Sequence, residues 1–334
     1  MGDLKTDSAP APLASDQGSP QPRPLSVGWG VLTIVMTLVG WSSIPLFLRY
    51  FSSHIDPWTS NGWRYGASAL FWAPVLLVTA ICGRWPVGLW RAALIPSAIN
   101  ICGQTCFVWA HYQIEPGLLT FGLRSQILFA AIGAYLLFPQ ERAVIRSVGY
   151  LAGAMMVLIG TSGSVLWSPQ SIDWTRLSGI GLAIASGGLF ACYALSVRKY
   201  LPHINSVMAF AAISQMTAAA MVGLMFLWGE RFGADAWDLT REQFVWLLMS
   251  ALIGIALGHV FYYMSIARLG VAVSAGVLQL QPFLVAVASY LLFGEVLRAA
   301  QWSSGAVAVG GALLMLGIQL QMSRRNNKTS SQAA

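Results

Sequence analysis

Charge is what this chain has least of. Only 9% of its 334 residues are Asp, Glu, Lys or Arg, whereas 56% are hydrophobic. A soluble globule of this size would need far more polar surface, so the composition excludes one and points to a polytopic membrane protein. The four cysteines, Cys82, Cys102, Cys106 and Cys192, have neither zinc-ribbon nor disulfide-framework spacing. Cys102 and Cys106 share a helix face and read as small apolar core residues. No phosphate-binding loop or cofactor motif is present. The net charge of +7 does not mark a nucleic-acid partner, because the cations come singly or in pairs at the ends of apolar runs. All twelve acidic residues fall in tails, loops or run ends, so no buried carboxylate of the usual proton- or sodium-binding kind is available.

Long apolar runs, by contrast, are abundant. Residues 1–26 are polar and rich in Pro, Ser and Ala, and read as a disordered tail without the apolar centre of a signal peptide. Ten runs follow, at 28–48, 59–81, 92–112, 117–138, 146–166, 178–197, 205–228, 243–265, 271–293 and 301–321. Each is long enough to cross about 30 Å of hydrocarbon at about 1.5 Å per residue. The expectation is an all-α integral membrane protein of ten transmembrane helices, with a second polar tail at 322–334.

The runs are one design written twice. Shifting the chain by 155 residues lays Tyr135-Leu136-Leu137-Phe138 on Tyr290-Leu291-Leu292-Phe293, Gln126 on Gln281, and Gly103 on Gly258. Residues 27–167 and 177–321 are therefore expected to be two five-helix repeats. An odd number of spans makes the second copy enter the membrane from the opposite side. Inverted repeats of this kind let a midplane site face either side in turn. With a cytoplasmic N-terminus, the inner segments hold twelve cations and the outer ones five, Arg49, Arg176, Arg231, Arg241 and Arg298. Both termini are thus expected on the cytoplasmic face of the cell inner membrane.

Several short patterns resemble the drug/metabolite transporters of the EamA type. They are Gly40-Trp41-Ser42-Ser43 followed by Arg49, Asp56-Pro57 followed by Arg64, and the acids Glu141 and Glu295, each leading into a glycine-rich span. Those spans carry Gly149, Gly153 and Gly160, and Gly305, Gly310 and Gly317. The resemblance implies a ten-helix transporter of small metabolites, often an exporter of amino acids or related compounds, with a central cavity between the halves. Span nine carries Pro282 where span four has Ile127, so span four should be the straighter.

A few polar residues inside the runs are candidates for substrate. Arg124, about 10 Å into its span, should face a cavity and hold a carboxylate through its fork, or else snorkel or pair with Glu115. Arg64, about five residues into its span, contacts substrate, or else snorkels or caps neighbouring carbonyls. Residues two apart differ by about 200° around a helix, so Arg124 and Gln126 cannot share a face, nor can Gln279 and Gln281. The repeat pairs Arg124 with Gln279 and Gln126 with Gln281. The first pair is expected in the cavity and the second between helices, with the roles exchanged if Pro282 frees the Leu278 carbonyl.

Gln104 corresponds to His259, with Tyr262 one turn further on. His259 is the candidate proton carrier, or a neutral hydrogen-bonding residue. Trp41 and Tyr193 occupy corresponding places and wall the cavity or simply pack. Gly149 and Gly153, and Gly254 and Gly258, let helices approach closely, within the chain or across a homodimer. The partners expected are a small-molecule substrate and the lipid bilayer. Rival readings are an intramembrane enzyme using His259 or His111 as base, a non-transporting sensor or scaffold, and an efflux carrier for hydrophobic or cationic compounds.

Overall fold

The computed structural model describes residues 27–139, 142–167, 173–202, 204–269, 274 and 277–332, and among them every regular element is helical. In chain order these are α1 (Val27–Phe51), α2 (Pro57–Ile81), α3 (Leu89–His111), α4 (Pro116–Gly122), α5 (Gln126–Leu137), α6 (Arg142–Ile145), α7 (Val148–Leu166), α8 (Trp174–Tyr200), α9 (Ser206–Trp228), α10 (Arg241–Ser250), α11 (Gly258–Leu269), α12 (Gln281–Phe293) and α13 (Ala299–Gln332). A 3₁₀ turn at Leu123–Ser125 joins α4 to α5, and a π-helical turn at Ala251–Leu257 joins α10 to α11. Among the described residues eight helical stretches are long and apolar enough to cross a membrane, Pro116–Leu137 and Arg241–Ser265 each counted as one through its 3₁₀ or π-helical turn, while Val148–Ser164 and Gln281–Phe293 are shorter apolar helices. The chain is a multi-pass membrane protein.

Polar residues placed just before the apolar runs start the helices. Asp56 caps α2, its Oδ1 accepting from the amides of Trp58 at 2.8 Å and Thr59 at 3.0 Å, with Pro57 at the first helical position. Asp173 caps α8, Asn205 caps α9, and Thr240 with Gln243 forms a capping box on α10. Within the runs, hydroxyls satisfy themselves on the preceding turn. Thr33 bonds the Trp29 carbonyl at 2.9 Å, and Thr37 that of Thr33 at 2.8 Å. That arrangement places a polar side chain in an apolar surrounding without a distant partner.

The packing obeys the sequence repeat. α2 lies along α9, α4 along α12, and α7 along α13, each a pairing that the repeat maps onto itself. α1 packs on α11 and α3 on α8, a pairing that the repeat maps onto its counterpart. Close approach depends on glycine. A Cβ at Gly153 would lie 2.7 Å from the Gly311 carbonyl oxygen, and one at Gly160 would lie 2.3 Å from the Ala308 nitrogen. Gly149 faces Ile318, Gly254 faces Ile44 and Gly258 faces Trp41, so both of the four-apart glycine pairs are used within the chain.

One loop end gathers Asp56, Glu115, Asp173, Glu230, Asp235, Asp238, Glu242 and Glu295. It is tied together by Arg49–Glu295 at 2.8 Å, Arg176–Glu115 at 3.3 Å and the Glu230 amide on Asp56 at 3.1 Å. The opposite end carries Arg84, Arg91, Arg142, Arg146, Arg198 and Lys199.

Two expectations need correction. The polar stretch expected as a tail from residue 322 continues α13 as helix to Gln332, consistent with its lack of Gly and Pro. Cys82, Cys102 and Cys192 are exposed and Cys106 half-buried, so they are not core residues; most helix faces here have lipid rather than protein to meet. The Trp63 Nε1 donates to the Gly233 carbonyl at 2.9 Å, tying α2 to the connection between α9 and α10. The tail at 1–26 and Glu141 lie outside the described residues.

Candidate functional site

The sequence places a proline four residues after Leu278, and that local fact builds the centre of the site. Pro282 has no amide hydrogen to return to the Leu278 carbonyl, and the chain turns at Gln279 and Leu280 before α12 begins. Arg124 takes the freed carbonyl, Nη1 donating to Leu278 O at 3.2 Å. The same guanidinium reaches Gln279 Oε1 at 3.4 Å, Gln281 Oε1 at 3.2 Å and, through Nε, the Thr120 carbonyl at 3.3 Å. Gln281 then donates from Nε2 to the Trp41 carbonyl at 2.9 Å, linking α1, α4 and α12.

This corrects the expected division of the glutamines. Gln281 does not pair with Gln126 but shares Arg124 with Gln279, because the turn between them cancels the helical separation. Gln126 opens α5 and is half-buried, its backbone nitrogen against Gly187 of α8. Span four tightens to a 3₁₀ turn at Leu123–Ser125, where Gly122, Leu123, Ser125 and Gln126 keep right-handed helical dihedrals. Arg124 neither snorkels nor meets Glu115, which is bound to Arg176. Every hydrogen bond found for the Arg124 guanidinium among the described residues ends on an uncharged oxygen.

An aromatic wall stands beside this cluster. Trp41 lies on Gly258, where a Cβ would come within 2.5 Å of Nε1. That Nε1 donates to the Gly254 carbonyl at 3.2 Å, on the π-helical turn, where ordinary α-helical pairing is interrupted. His259 sits edge-on to Trp41 at 5.2 Å between ring centroids and stacks on Phe210 at 4.6 Å, while Tyr262 lies 5.1 Å from Trp41. The His259 Nδ1 lies 3.0 Å from the Ile255 carbonyl; a carbonyl only accepts, so Nδ1 carries the hydrogen.

The remaining candidates lie elsewhere. Tyr193 belongs to the core formed by α2, α3 and α9, against Tyr263 rather than Trp41. Gln104 joins a polar chain, its backbone carbonyl accepting from Asn61 Nδ2 at 3.4 Å and its side-chain Nε2 donating to Asn100 Oδ1 at 3.5 Å; Asn100 donates to Thr217 at 3.1 Å. Arg64 does not snorkel. It is 2% exposed and donates from Nε to Ser250 Oγ at 2.9 Å. A cavity of about 320 Å³ opens toward the acidic end along the α4–α12 seam, lined by Glu115, Gly117, Arg176, Ser289, Glu295 and Gln301 among others. Arg124 lies two turns deeper, outside its lining. Sequence reading passed over Phe210, Asn61, Asn100 and Ser250. Only the amides carried a signal, being polar residues in apolar runs.

The EamA-like transporter family model matches this chain twice, at residues 28–166 and 177–317. The chain belongs to the EamA-like transporter family. It is accordingly a membrane transporter rather than an enzyme, and the Arg124 cluster and the aromatic wall are features of an EamA-like transporter's interior. No curated protein matches it. A solved structure titled "Crystal structure of protein" is similar in fold, with a TM-score of 0.59 and 16% identity over 90% of this chain and 99% of that one.

Proposed function

We propose that this EamA-like transporter carries an amino acid or a related zwitterion or anion across the cell inner membrane by alternating access, in export or exchange. Ten spans form two inverted five-helix repeats, the short α7 and α12 counted among them, and the basic end with both termini faces the cytoplasm. The internal pairing of helices and the gathering of the described loop acids at one end support that arrangement. The observation that carries the substrate class is Arg124, a cation in the membrane interior whose hydrogen bonds go to carbonyl and amide oxygens rather than to a carboxylate. A substrate carboxylate exchanges for those weaker acceptors and gains a charge-assisted, two-pronged bond. Trp41, His259 and Tyr262 supply a face for the substrate's apolar part, and His259 is the group available for proton coupling.

The aromatic wall also favours a second reading, since rings of this kind attract hydrophobic cations. The fixed charge of Arg124 opposes it. The test is counterflow in sealed proteoliposomes with amino acids, organic acids and cationic drugs, with and without a pH gradient. Carboxylate-bearing substrates should be exchanged by the natural protein and lost in Arg124→Gln. Undiminished carboxylate exchange in Arg124→Gln, or exchange of cations alone, would overturn the reading.

A further inference from the structure

Pro139 does at the basic end what Pro282 does in the interior. It stands four residues after Tyr135 and has no amide hydrogen to return to that residue's carbonyl. Arg142 of α6 takes the freed oxygen, donating from Nε at 2.9 Å. Its guanidinium also stands over the Tyr135 ring, 5.5 Å from the centroid, and that of Arg146 stands 5.2 Å from the same centroid. Arg146 Nη2 donates in addition to the Tyr135 phenol oxygen. One tyrosine thus holds two cations in place, through its carbonyl, its ring and its hydroxyl.

Arg142 and Arg146 are both exposed, and neither forms an ion pair among the described residues. The bond to the Tyr135 carbonyl uses only Nε of Arg142, which leaves both of its Nη groups able to donate to a phosphate. Two like charges around one ring repel, and an anion that meets both relieves the repulsion. The adjoining surface is apolar. Ala131 of α5, Val144 of α6 and Tyr150 of α7 share a buried cluster, and on the outside of these same helices and their junction Leu136 is 65% and Val148 85% exposed. A soluble anion would meet the charges and leave that surface unused. A phospholipid meets both, its phosphate at the depth where the helices end and its chains beside the apolar side chains.

We propose that Arg142, Arg146 and Tyr135 form a binding site for an anionic phospholipid, whose phosphate accepts from the two guanidinium groups while its acyl chains lie along Leu136 and Val148. The net charge of the lipid sets the preference, because a zwitterionic headgroup brings its own cation to the arginines. The site requires neither Arg124 nor a particular orientation of the chain in the membrane.

The test is native mass spectrometry of the full chain in detergent, titrated with phosphatidylglycerol and with phosphatidylcholine carrying the same acyl chains. The natural protein should bind phosphatidylglycerol more tightly. Arg142→Gln and Arg146→Gln should each reduce that preference about fivefold, and the two together should abolish it. Arg91→Gln removes a cation from the same end of the molecule but outside this cluster, and should leave the preference unchanged. Glycerol 3-phosphate, the charged headgroup without its chains, should not displace the lipid at tenfold excess. If Arg142→Gln does not fold, Arg146→Gln leaves the Tyr135 carbonyl bonded and carries the test alone. Equal affinity for the two lipids, or a preference that survives the loss of Arg146 or of both arginines, would overturn the site. So would a loss in Arg91→Gln as large as that in Arg146→Gln, which would assign the effect to overall charge, or displacement by glycerol 3-phosphate, which would make it a site for soluble anions.

Discussion

Trp41 occupies the space that a side chain at Gly258 would need, its indole nitrogen 2.5 Å from where a Cβ would stand. The indole is held by its bond to the Gly254 carbonyl as well as by this absence of bulk. Gly258→Ala should therefore push the ring away from His259 and Tyr262. Overpacking of this kind costs about 1–3 kcal/mol, so thermal unfolding in detergent should show a lower midpoint. Counterflow should fall with it. Trp41→Phe is smaller and lacks the polar edge, so it leaves room for the added methyl group and should recover some of the stability in the double variant.

Gln281 is the joint between the Arg124 guanidinium and the Trp41 carbonyl. Gln281→Leu preserves approximate volume but leaves a guanidinium nitrogen and a carbonyl without their partner. Each loss costs about 1–3 kcal/mol when buried. Gln279→Leu removes the longer bond of 3.4 Å to Arg124, whose Nη1 keeps the Leu278 carbonyl. Unfolding midpoints should rank the natural protein first, Gln279→Leu second and Gln281→Leu last. Equal midpoints for the two variants would show that Gln281 does not act as a joint.

Arg49 and Glu295 tie the end of α1 to the segment that follows α12, and the second Glu295 oxygen accepts from Ser289. Because Arg49 is partly exposed, a double-mutant cycle should return a coupling of only about 0.2–1 kcal/mol. Since Glu295 also lines the cavity, its removal should affect flux more than stability. Arg49→Glu with Glu295→Arg should restore some of the flux lost in either single reversal. The Ser289 bond changes character in the exchange, so recovery should be incomplete.

Glu230 lies in the connection between α9 and α10, where Asp235 beside it, and then Asp56, raise its pKa above the usual carboxylate range. A folded-state value raised above the unfolded one means that the folded protein binds the proton more tightly. The contribution to stability is therefore greatest below the unfolded value and is lost as pH rises through the folded value. Stability should show an acid-side gain that Glu230→Gln abolishes and Asp235→Asn reduces. Unfolding midpoints measured across that window, as differences between variant and natural protein, check the sign.

Much of this architecture was legible because apolar length and a 155-residue repeat are properties of sequence alone. The pairing of Arg124 with Gln279 came from that repeat, and the free Leu278 carbonyl from Pro282. The error lay in carrying the 200° rule across the turn at Gln279 and Leu280, which brings Gln281 to the same guanidinium. A π-helical turn has no sequence signature of comparable strength, so the acceptor for the Trp41 indole was invisible. The burial of Arg64 was hidden for another reason: an arginine about two turns from a helix end can snorkel or turn inward, and only its neighbours decide.

The α7–α13 seam allows a sharper test, because glycines of equal sequence status differ in what surrounds them. At Gly160 a Cβ would meet the Ala308 nitrogen at 2.3 Å and the Ser304 oxygen at 2.5 Å, backbone atoms that cannot rotate aside. At Gly258 the obstacle is a side chain, and at Gly181 nothing lies within 4 Å. Replacing Gly181 by Ala should be neutral or add about 0.5–1 kcal/mol, the usual helical gain over glycine. Gly160→Ala must instead push α7 and α13 apart along their length, losing contacts beyond the substituted residue. It should lower the unfolding midpoint more than Gly258→Ala does. The order Gly181, Gly258, Gly160 from mildest to most damaging follows from geometry. Equal damage at Gly181 and Gly160 would mean that α7 and α13 do not approach as closely as their glycines allow.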